Sequence, residues 1–458
     1  MKNSREYLGK RVLVLGLGRS GTAAAKLLHD LEAEVVVNDS EAQAAPELEQ
    51  LGINVVTGSH PLGLLDGIDL MVKNPGIRYD NILVAEAEKR RIPIVTDIDL
   101  AGEISDADIV AITGTNGKTT TTTLIGRILK ESGFHVKVGG NIGIPASEVA
   151  QATRKSDKLV METSSFQLQG TLKFHPHIAV ITNIYSTHLD YHGSQENYEA
   201  AKWKIQQNMT ADDFLILNFN QAKLRQMANK TQATLVPFST QKVLPEGAYA
   251  FEGKLYFRDE YLMDAAELSL PGEHNVENAL AAIAAVKLSG ASNAAIVKVL
   301  TSFEGVRHRL QFLGTAQGRR AYNDTEATNI LATKKALTGF DHSKLWLFVG
   351  GLDRGNNFDE LEDSLVGLKG LIISGETTPK FVALAEKLGI PYHTTENVVT
   401  GLNEIFPCTE AGDTLLLSPA CASWDQYKNA EQRGDMFIEA FEALKEKVAE
   451  PDVKKELK

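Results

Sequence analysis

Three times along this chain a short β-branched run ends in glycine or polar residues and gives way to a helix-like segment. No other feature restricts the fold as much. The first unit is Arg11–Leu15, then Gly16-Leu17-Gly18-Arg19-Ser20-Gly21 and an alanine-rich amphipathic stretch to Leu31; the next strand, Glu34 to Asn38, ends at Asp39. The second is Ile109–Ile112, then Gly114-Thr115-Asn116-Gly117-Lys118-Thr119-Thr120 and a helix through Lys130, with buried-looking runs at Lys158–Met161, Ala179–Thr182 and Phe214–Leu217. The third starts near Phe303 and includes Leu345–Val349, Gly370–Ile373 and Thr414–Leu417. Strand-like runs alternating with helical patterns predict an α/β protein built mainly on parallel sheets. At roughly 100–200 residues per domain, the 458 residues predict three domains, with boundaries near 98 and 304: 1–98, 99–304 and 305–458. The tail from Glu446 reads as a frayed, solvated helix.

The formal net charge of −12 argues against a nucleic-acid partner. Two cysteines, Cys408 and Cys421, make no disulfide framework and fit a reducing cytosol. No apolar run reaches the 18 or so residues of a membrane span, and the polar start lacks a signal-peptide core. A soluble, cytoplasmic protein without a membrane partner is expected.

The Gly114–Thr120 stretch lies between a strand and a helix, where backbone N–H groups and the helix dipole favour phosphate. In such a loop Lys118 contacts the β- and γ-phosphates and the Thr119 hydroxyl ligates Mg²⁺. The loop is shorter than the general phosphate-loop pattern, because Ile112 stands where the first glycine would be. Gly16–Gly21 is a G-x-G-x-x-G with an acid, Asp39, ending the next strand. This is the dinucleotide fingerprint, and it does not separate NAD from a UDP-linked group. His188 follows the strand-like Ala179–Thr182 and Glu162 ends another strand, so the two could offer a nitrogen and an oxygen to Mg²⁺. Lys202, in Tyr198-Glu-Ala-Ala-Lys-Trp203, reads by composition as a solvent-facing lysine. Polar clusters that suit site loops follow at His274–Asn278, Arg307–Arg309, Asn323–Asn329, Gly350–Arg354 and Ser418–Asp425.

Taken in order, GTNGKTT, METSSFQL, THLDYHG, AAKWKIQ, GEHNVENALAA, His308-Arg309, NDTEATN, GGLDRG and SPACASWDQYKN resemble the Mur ligase family over nearly the whole chain. The nearest resemblance is to members that add D-glutamate to UDP-N-acetylmuramoyl-L-alanine. It implies a Rossmann-like N-terminal domain for the UDP moiety, a central P-loop-type ATPase domain and a Rossmann-like C-terminal domain for the amino acid. On that resemblance Gly18, Arg19, Ser20, Asp39, Ser40, Asn74, Gly76 and Asn141 face the UDP substrate. Asn278, Arg309 and Asp324 join the Gly114–Thr120 loop as ATP contacts, and Thr328, Arg354 and Ser423 hold the glutamate. The resemblance also implies ATP with two Mg²⁺ ions, a metal set of Thr119, Glu162, His188 and Lys202 as a carbamate, an acyl-phosphate route and a monomer.

The family usually has lysine where this chain has Glu326, and often an aromatic residue where it has Ala430. A pairing of Glu326 with a neighbouring cation, such as Arg354 or Lys428, is therefore expected. Three rivals are a sister ligase for another amino acid, a nicotinamide-dependent dehydrogenase resting on Gly16–Gly21 alone, and a nucleotide sensor without turnover.

Overall fold

Along Arg11–Leu15 every residue after the first is buried, and alternate residues enter different cores. Val12 and Val14 face one, Leu13 and Leu15 the other. A strand covered on both faces needs apolar residues throughout, hence a continuous run instead of an alternating one. Its sheet runs in the order Asn54–Thr57, Glu34–Asp39, Arg11–Leu15, Leu70–Lys73, Ile94–Val95, all parallel. The chain leaves the central strand Arg11–Leu15 to one side, then returns to the other. The gap at that reversal is where open α/β sheets bind ligands. The helix Arg19–Asp30 packs Ala23, Ala24, Ala25, Leu27 and Leu28 inward; small alanines let it lie close to the sheet, and each leucine contributes about 1.5–3 kcal/mol of burial.

This computed structural model describes residues 4–42 and 44–449, and the chain divides into two compact units. The first comprises Met1–Glu267 and Val276–Thr301, the second Leu268–Asn275 and Ser302–Lys458. The first unit also holds a nine-stranded sheet, Glu260–Asp264, Lys254–Phe257, Ala248–Phe251, Thr234–Ser239, Phe214–Asn218, Ile178–Ile181, Asp108–Thr113, Lys158–Glu162, Val136–Gly140. Seven of these strands are parallel; Lys254–Phe257 and Glu260–Asp264 add antiparallel hairpins that the sequence reading did not anticipate. One apolar core runs from Val12 and Val37, through Ile98, Leu100 and Ile104 of the helix Asp97–Ile104, to Ile109, Leu159 and Leu215. The two sheets thus share an interior.

The second unit carries a six-stranded sheet, Gln311–Ala316, Arg319–Asn323, Thr414–Leu417, Leu345–Val349, Gly370–Ile373, Tyr392–Thr394, antiparallel only at its first pair. Leu347, Val349 and Leu371 enter one core while Phe348, Ile372 and Leu415 enter another. The last helix, Ala430–Ala449, reaches Ala449. The rest of the tail expected to fray lies outside the described residues.

Candidate active site

At the reversal point of the first sheet lies a cavity of about 360 Å³, lined by Gly16, Gly18, Asp39, Ser40, Asn74 and Gly76, all from the sequence reading, by Ile77 at the end of the same Asn74–Ile77 turn, and by Glu41, His60 and Asn81, which that reading missed. Asp39 accepts the Leu17 N–H at 2.7 Å and the Glu41 N–H at 2.9 Å, so one carboxylate joins two loops. The helix Arg19–Asp30 starts at Gly18 without a side-chain cap. Its first-turn N–H groups, Ser20 among them, have no intrahelical acceptor and suit an anion. Arg19 is directed elsewhere: its guanidinium donates to the Gly143 carbonyl at 2.8 Å. Asn141 is not in this lining; its amide donates to Glu162 at 2.8 Å. His60 follows the strand Asn54–Thr57 and is held by Asn38 and Asn81. A polar residue just past a strand's carboxyl end was the signal available for it.

The second site forms at the carboxyl ends of three neighbouring strands, Ile178–Ile181, Asp108–Thr113 and Lys158–Glu162. The Gly114–Thr120 loop leaves the middle one and enters the helix Lys118–Glu131 through Gly117, at φ +79°. A Cβ on Gly117 would lie 2.1 Å from Asn278 Oδ1, so glycine is required twice over, by conformation and by space. Asn278 thereby packs on the loop, and the Thr121 hydroxyl reaches it at 3.5 Å. Asn183 brackets Asn116, accepting its N–H at 2.9 Å and donating to its carbonyl at 3.0 Å. Tyr198 and Thr115 share a hydroxyl hydrogen bond of 2.8 Å, a support the sequence reading missed.

The charges around this loop are uneven. Lys118 donates to the Gly114 carbonyl at 2.9 Å, and Lys202 donates to the same oxygen at 2.8 Å. Composition would have put Lys202 in solvent; it is 2% exposed. Burial first, then the neighbouring Lys118, pulls its ammonium well below the ordinary lysine range, while Glu162 opposes. His188 is also pulled down, by burial and then by Lys202 and Lys118. It sits at φ +56° with its ring 5.0 Å from Phe166. Glu162 is buried; one oxygen accepts the Thr119 hydroxyl at 2.7 Å and the other the Asn141 amide. Among the described residues no three His, Cys, Asp or Glu side chains form a ready metal cage. Thr119 and Glu162 instead put hard oxygen donors beside the loop, the donor type Mg²⁺ takes alongside phosphate and water.

In the second unit the predicted residues again follow strands. Asp324 succeeds Arg319–Asn323, accepting the Leu310 N–H at 3.0 Å and the Ser418 hydroxyl at 2.9 Å. Burial, against those two bonds, pushes its carboxyl up to about 7. Glu326 does pair with a neighbouring cation, Arg309 at 3.4 Å, in place of Arg354 or Lys428. The reason is local: the Glu326 N–H bonds the His308 carbonyl, drawing these loops together. Arg354 lies over the Trp424 ring, 4.8 Å from its centre. Gly351 meets the Ala422 carbonyl so closely that a Cβ would be 2.2 Å away, which brings the Arg354 loop beside the Ser418–Asp425 loop. There the buried Ser423 hydroxyl has no hydrogen-bond partner among the described residues, and Thr328 is half-buried.

Comparison with known proteins identifies the family. The Mur ligase middle domain matches residues 112–286, and the Mur ligase MurD-like, N-terminal domain matches residues 10–96. The chain is 62% identical over 450 residues to the UDP-N-acetylmuramoylalanine--D-glutamate ligase of Lactococcus lactis subsp. cremoris (strain MG1363), covering 97% of this chain and 100% of that one. It is 56% identical over 454 residues to the enzyme of that name from Enterococcus faecalis, covering 97% and 99%. Among solved structures, the Thermotoga maritima MurF ligase in complex with ADP superimposes with a TM-score of 0.59 at 18% identity, over 98% of both chains. The Thermotoga maritima UDP-N-acetylmuramate-alanine ligase MurC gives 0.58 at 22%, over 95% and 99%. At those identities the likeness concerns the fold.

Proposed function

The chain belongs to the Mur ligase family, and from that premise we infer that it joins D-glutamate to UDP-N-acetylmuramoyl-L-alanine at the expense of ATP, in the assembly of peptidoglycan precursors. The observation that carries this reading is the pairing, in one unit, of a cavity at the sheet's reversal point with a glycine-rich loop on which two lysines converge. A dehydrogenase leaves that second site without a task, and a sensor would bind ATP there without substrate-dependent turnover.

The roles are proposed residue by residue. Residues 1–98 bind the UDP substrate through Gly18, Arg19, Ser20, Asp39, Ser40, Asn74 and Gly76, joined by Asn141 from residues 99–304. Residues 99–304 bind ATP through Gly114–Thr120 and Asn278, with Arg309 and Asp324 as further contacts. Residues 305–458 receive D-glutamate at Thr328, Arg354 and Ser423; among the described residues the Ser423 hydroxyl has no partner of its own to bond. The acceptor is a carboxylate, inert to amines at neutral pH. Its oxygen attacks the γ-phosphorus of ATP, ADP leaves, and an acyl phosphate forms. The glutamate amine then attacks the acyl carbon and phosphate departs. Lys118 leaves its own loop carbonyls to balance charge on the moving phosphoryl group, the kind of positioning and neutralisation on which such transfers rest.

Thr119 and Glu162, with His188 and Lys202 near them, are proposed to hold two Mg²⁺ ions. When bound, Mg²⁺ neutralises phosphate oxygens and fixes their geometry. Lys202 is proposed to carry a carbamate: its neutral amine adds to the carbon of CO₂ and loses a proton, leaving an anionic group with two oxygens. Its burial and lowered ammonium favour that neutral amine. The enzyme is proposed to work as a cytoplasmic monomer; no described helix is long and apolar enough to cross a membrane.

Phosphate release tests the reading. It should require ATP, UDP-N-acetylmuramoyl-L-alanine and D-glutamate together. Equal turnover with L-glutamate, L-alanine or a diamino acid would overturn the choice of substrate.

A further inference from the structure

Lysine is almost never fully buried unless it is paired. Lys73 is 0% exposed, and among the described residues it has no carboxylate partner. It ends the strand Leu70–Lys73, where Met71 and Val72 are buried as a covered strand demands. In place of an anion its ammonium is caged by oxygen dipoles. It donates to the carbonyls of Asn74 at 3.2 Å, Pro75 at 3.3 Å and Ile77 at 2.5 Å, and to the Tyr191 hydroxyl at 3.2 Å. The ring of Tyr79, 4.9 Å away, and that of Tyr191, 5.9 Å away, add cation–π faces. The turn from Asn74 to Ile77 is thus wrapped around one cation with its carbonyls inward. Its outward side is the cavity wall: Asn74, Gly76 and Ile77 line the proposed nucleotide pocket.

The cage also reaches the second site. The Tyr191 hydroxyl lies 2.9 Å from the carbonyls of both Pro75 and Ile77, and Arg78 donates to the Asp190 carbonyl. Tyr191 comes three residues after His188, and both rings pack edge-on against Phe166, at 4.5 and 5.0 Å. We propose that Lys73 is a positioning residue that shapes the uridine-nucleotide pocket and, through Tyr191, fixes the segment carrying His188, so that the acceptor turn and the phosphoryl-transfer site keep one register. Burial pulls the Lys73 ammonium down to about 8, so near neutrality most of it keeps the proton the cage requires.

The proposal rests on the reading of the Gly16–Asn81 cavity as the UDP site, and the experiment separates the two. Uridine diphosphate binding is measured by calorimetry, and steady-state phosphate release with each substrate varied in turn, for the wild type, Lys73→Met and Tyr191→Phe. Lys73→Met keeps the length and removes the charge and donors. It should weaken uridine diphosphate and raise the KM for the UDP-sugar–alanine about tenfold, the equivalent of roughly 1.4 kcal/mol, and lower kcat, with the KM for ATP within about twofold. Tyr191→Phe removes only the hydroxyl and should raise the same KM about threefold; the double variant should be no worse than Lys73→Met, because the two share one cage. Tyr191→Phe leaves the cation and both rings in place, so it decides the matter if Lys73→Met does not fold. A folded Lys73→Met, or failing that Tyr191→Phe, with a lowered melting point but wild-type KM for the UDP substrate would reduce Lys73 to a structural lysine and overturn the proposal. A wild type that binds no uridine diphosphate would overturn the reading of the cavity itself, and the proposal with it.

Discussion

The two glycine-rich loops of the first unit use one backbone device with opposite charge around it. Gly16–Gly21 and Gly114–Thr120 each leave a parallel strand and open a helix whose free N–H groups suit phosphate. The first is closed by a carboxylate, Asp39, which accepts the Leu17 N–H, and its own arginine turns away to Gly143. The second is approached by two amines on a single carbonyl oxygen. A loop tied by an anion can orient a nucleotide but does little for a phosphoryl group in motion. A loop with two cations beside it can neutralise charge as it develops. Position in the fold therefore predicts that a nucleotide binds, and the side chains around the loop predict what happens to it.

The contrast can be broken at either loop. Lys202→Ala should be the most damaging change, costing about 10³-fold in kcat with little loss of folding, and acetate should partly restore it by filling the vacated oxygen positions. Lys202→Arg should stay inactive, since guanidinium takes up no CO₂; full activity of that variant would remove the carbamate from the mechanism. Lys118→Ala should lower kcat about 10²-fold, and near-normal turnover in a folded variant would erase the difference between the loops. Asp39→Asn, which acts on binding, should instead raise the KM for the UDP substrate about tenfold, the scale of a lost charged hydrogen bond, and leave kcat nearly unchanged.

Two smaller effects belong to the second unit. The Asp324 carboxyl sits near 7 in the folded protein against an ordinary 3.8. The folded state thus holds a proton the unfolded chain has released. Its contribution favours folding below about 4 and is lost as the pH rises through about 7. Asp324→Asn removes that dependence, so its melting temperature relative to wild type should climb between pH 5 and pH 8; a constant difference would mean that Asp324 titrates normally. Glu326→Lys should be the mildest change, moving kcat/KM less than about threefold, because an exposed pair such as Arg309–Glu326 contributes about 1 kcal/mol or less. Loss of D-glutamate use in that variant would give Glu326 a direct role.

What was legible in the sequence was what a continuous apolar run or a glycine-rich turn encodes. Leu345–Val349, Gly370–Ile373 and Thr414–Leu417 read directly as strands, because parallel strands buried on both faces leave no ambiguity of face. The hairpins from Ala248 to Asp264 did not. Their first turn, Glu252-Gly253, takes positive φ at both central residues, +49° and +74°, but carries glutamate where asparagine or aspartate would announce it. Lys73 escaped notice because a lysine ending an apolar run reads as its exposed end. For Glu326 a cation partner was legible but not which cation, because partner choice depends on which loops a backbone hydrogen bond draws together, and no spacing along the chain records that. Lys202 shows the same failure as Lys73: composition placed it in solvent, and only the resemblance of its Ala-Ala-Lys segment to the family's pointed to the site.

For a chemist building a small molecule against the second unit, the Ser423 hydroxyl is the place to aim. Among the described residues the buried Ser423 hydroxyl finds no partner, and leaving such a group unsatisfied costs about 1–3 kcal/mol. A ligand that supplies the missing acceptor recovers that energy as affinity without making any contact larger. A methyl group put in the same place would seal the deficit in, and the compound would weaken however well it filled the space.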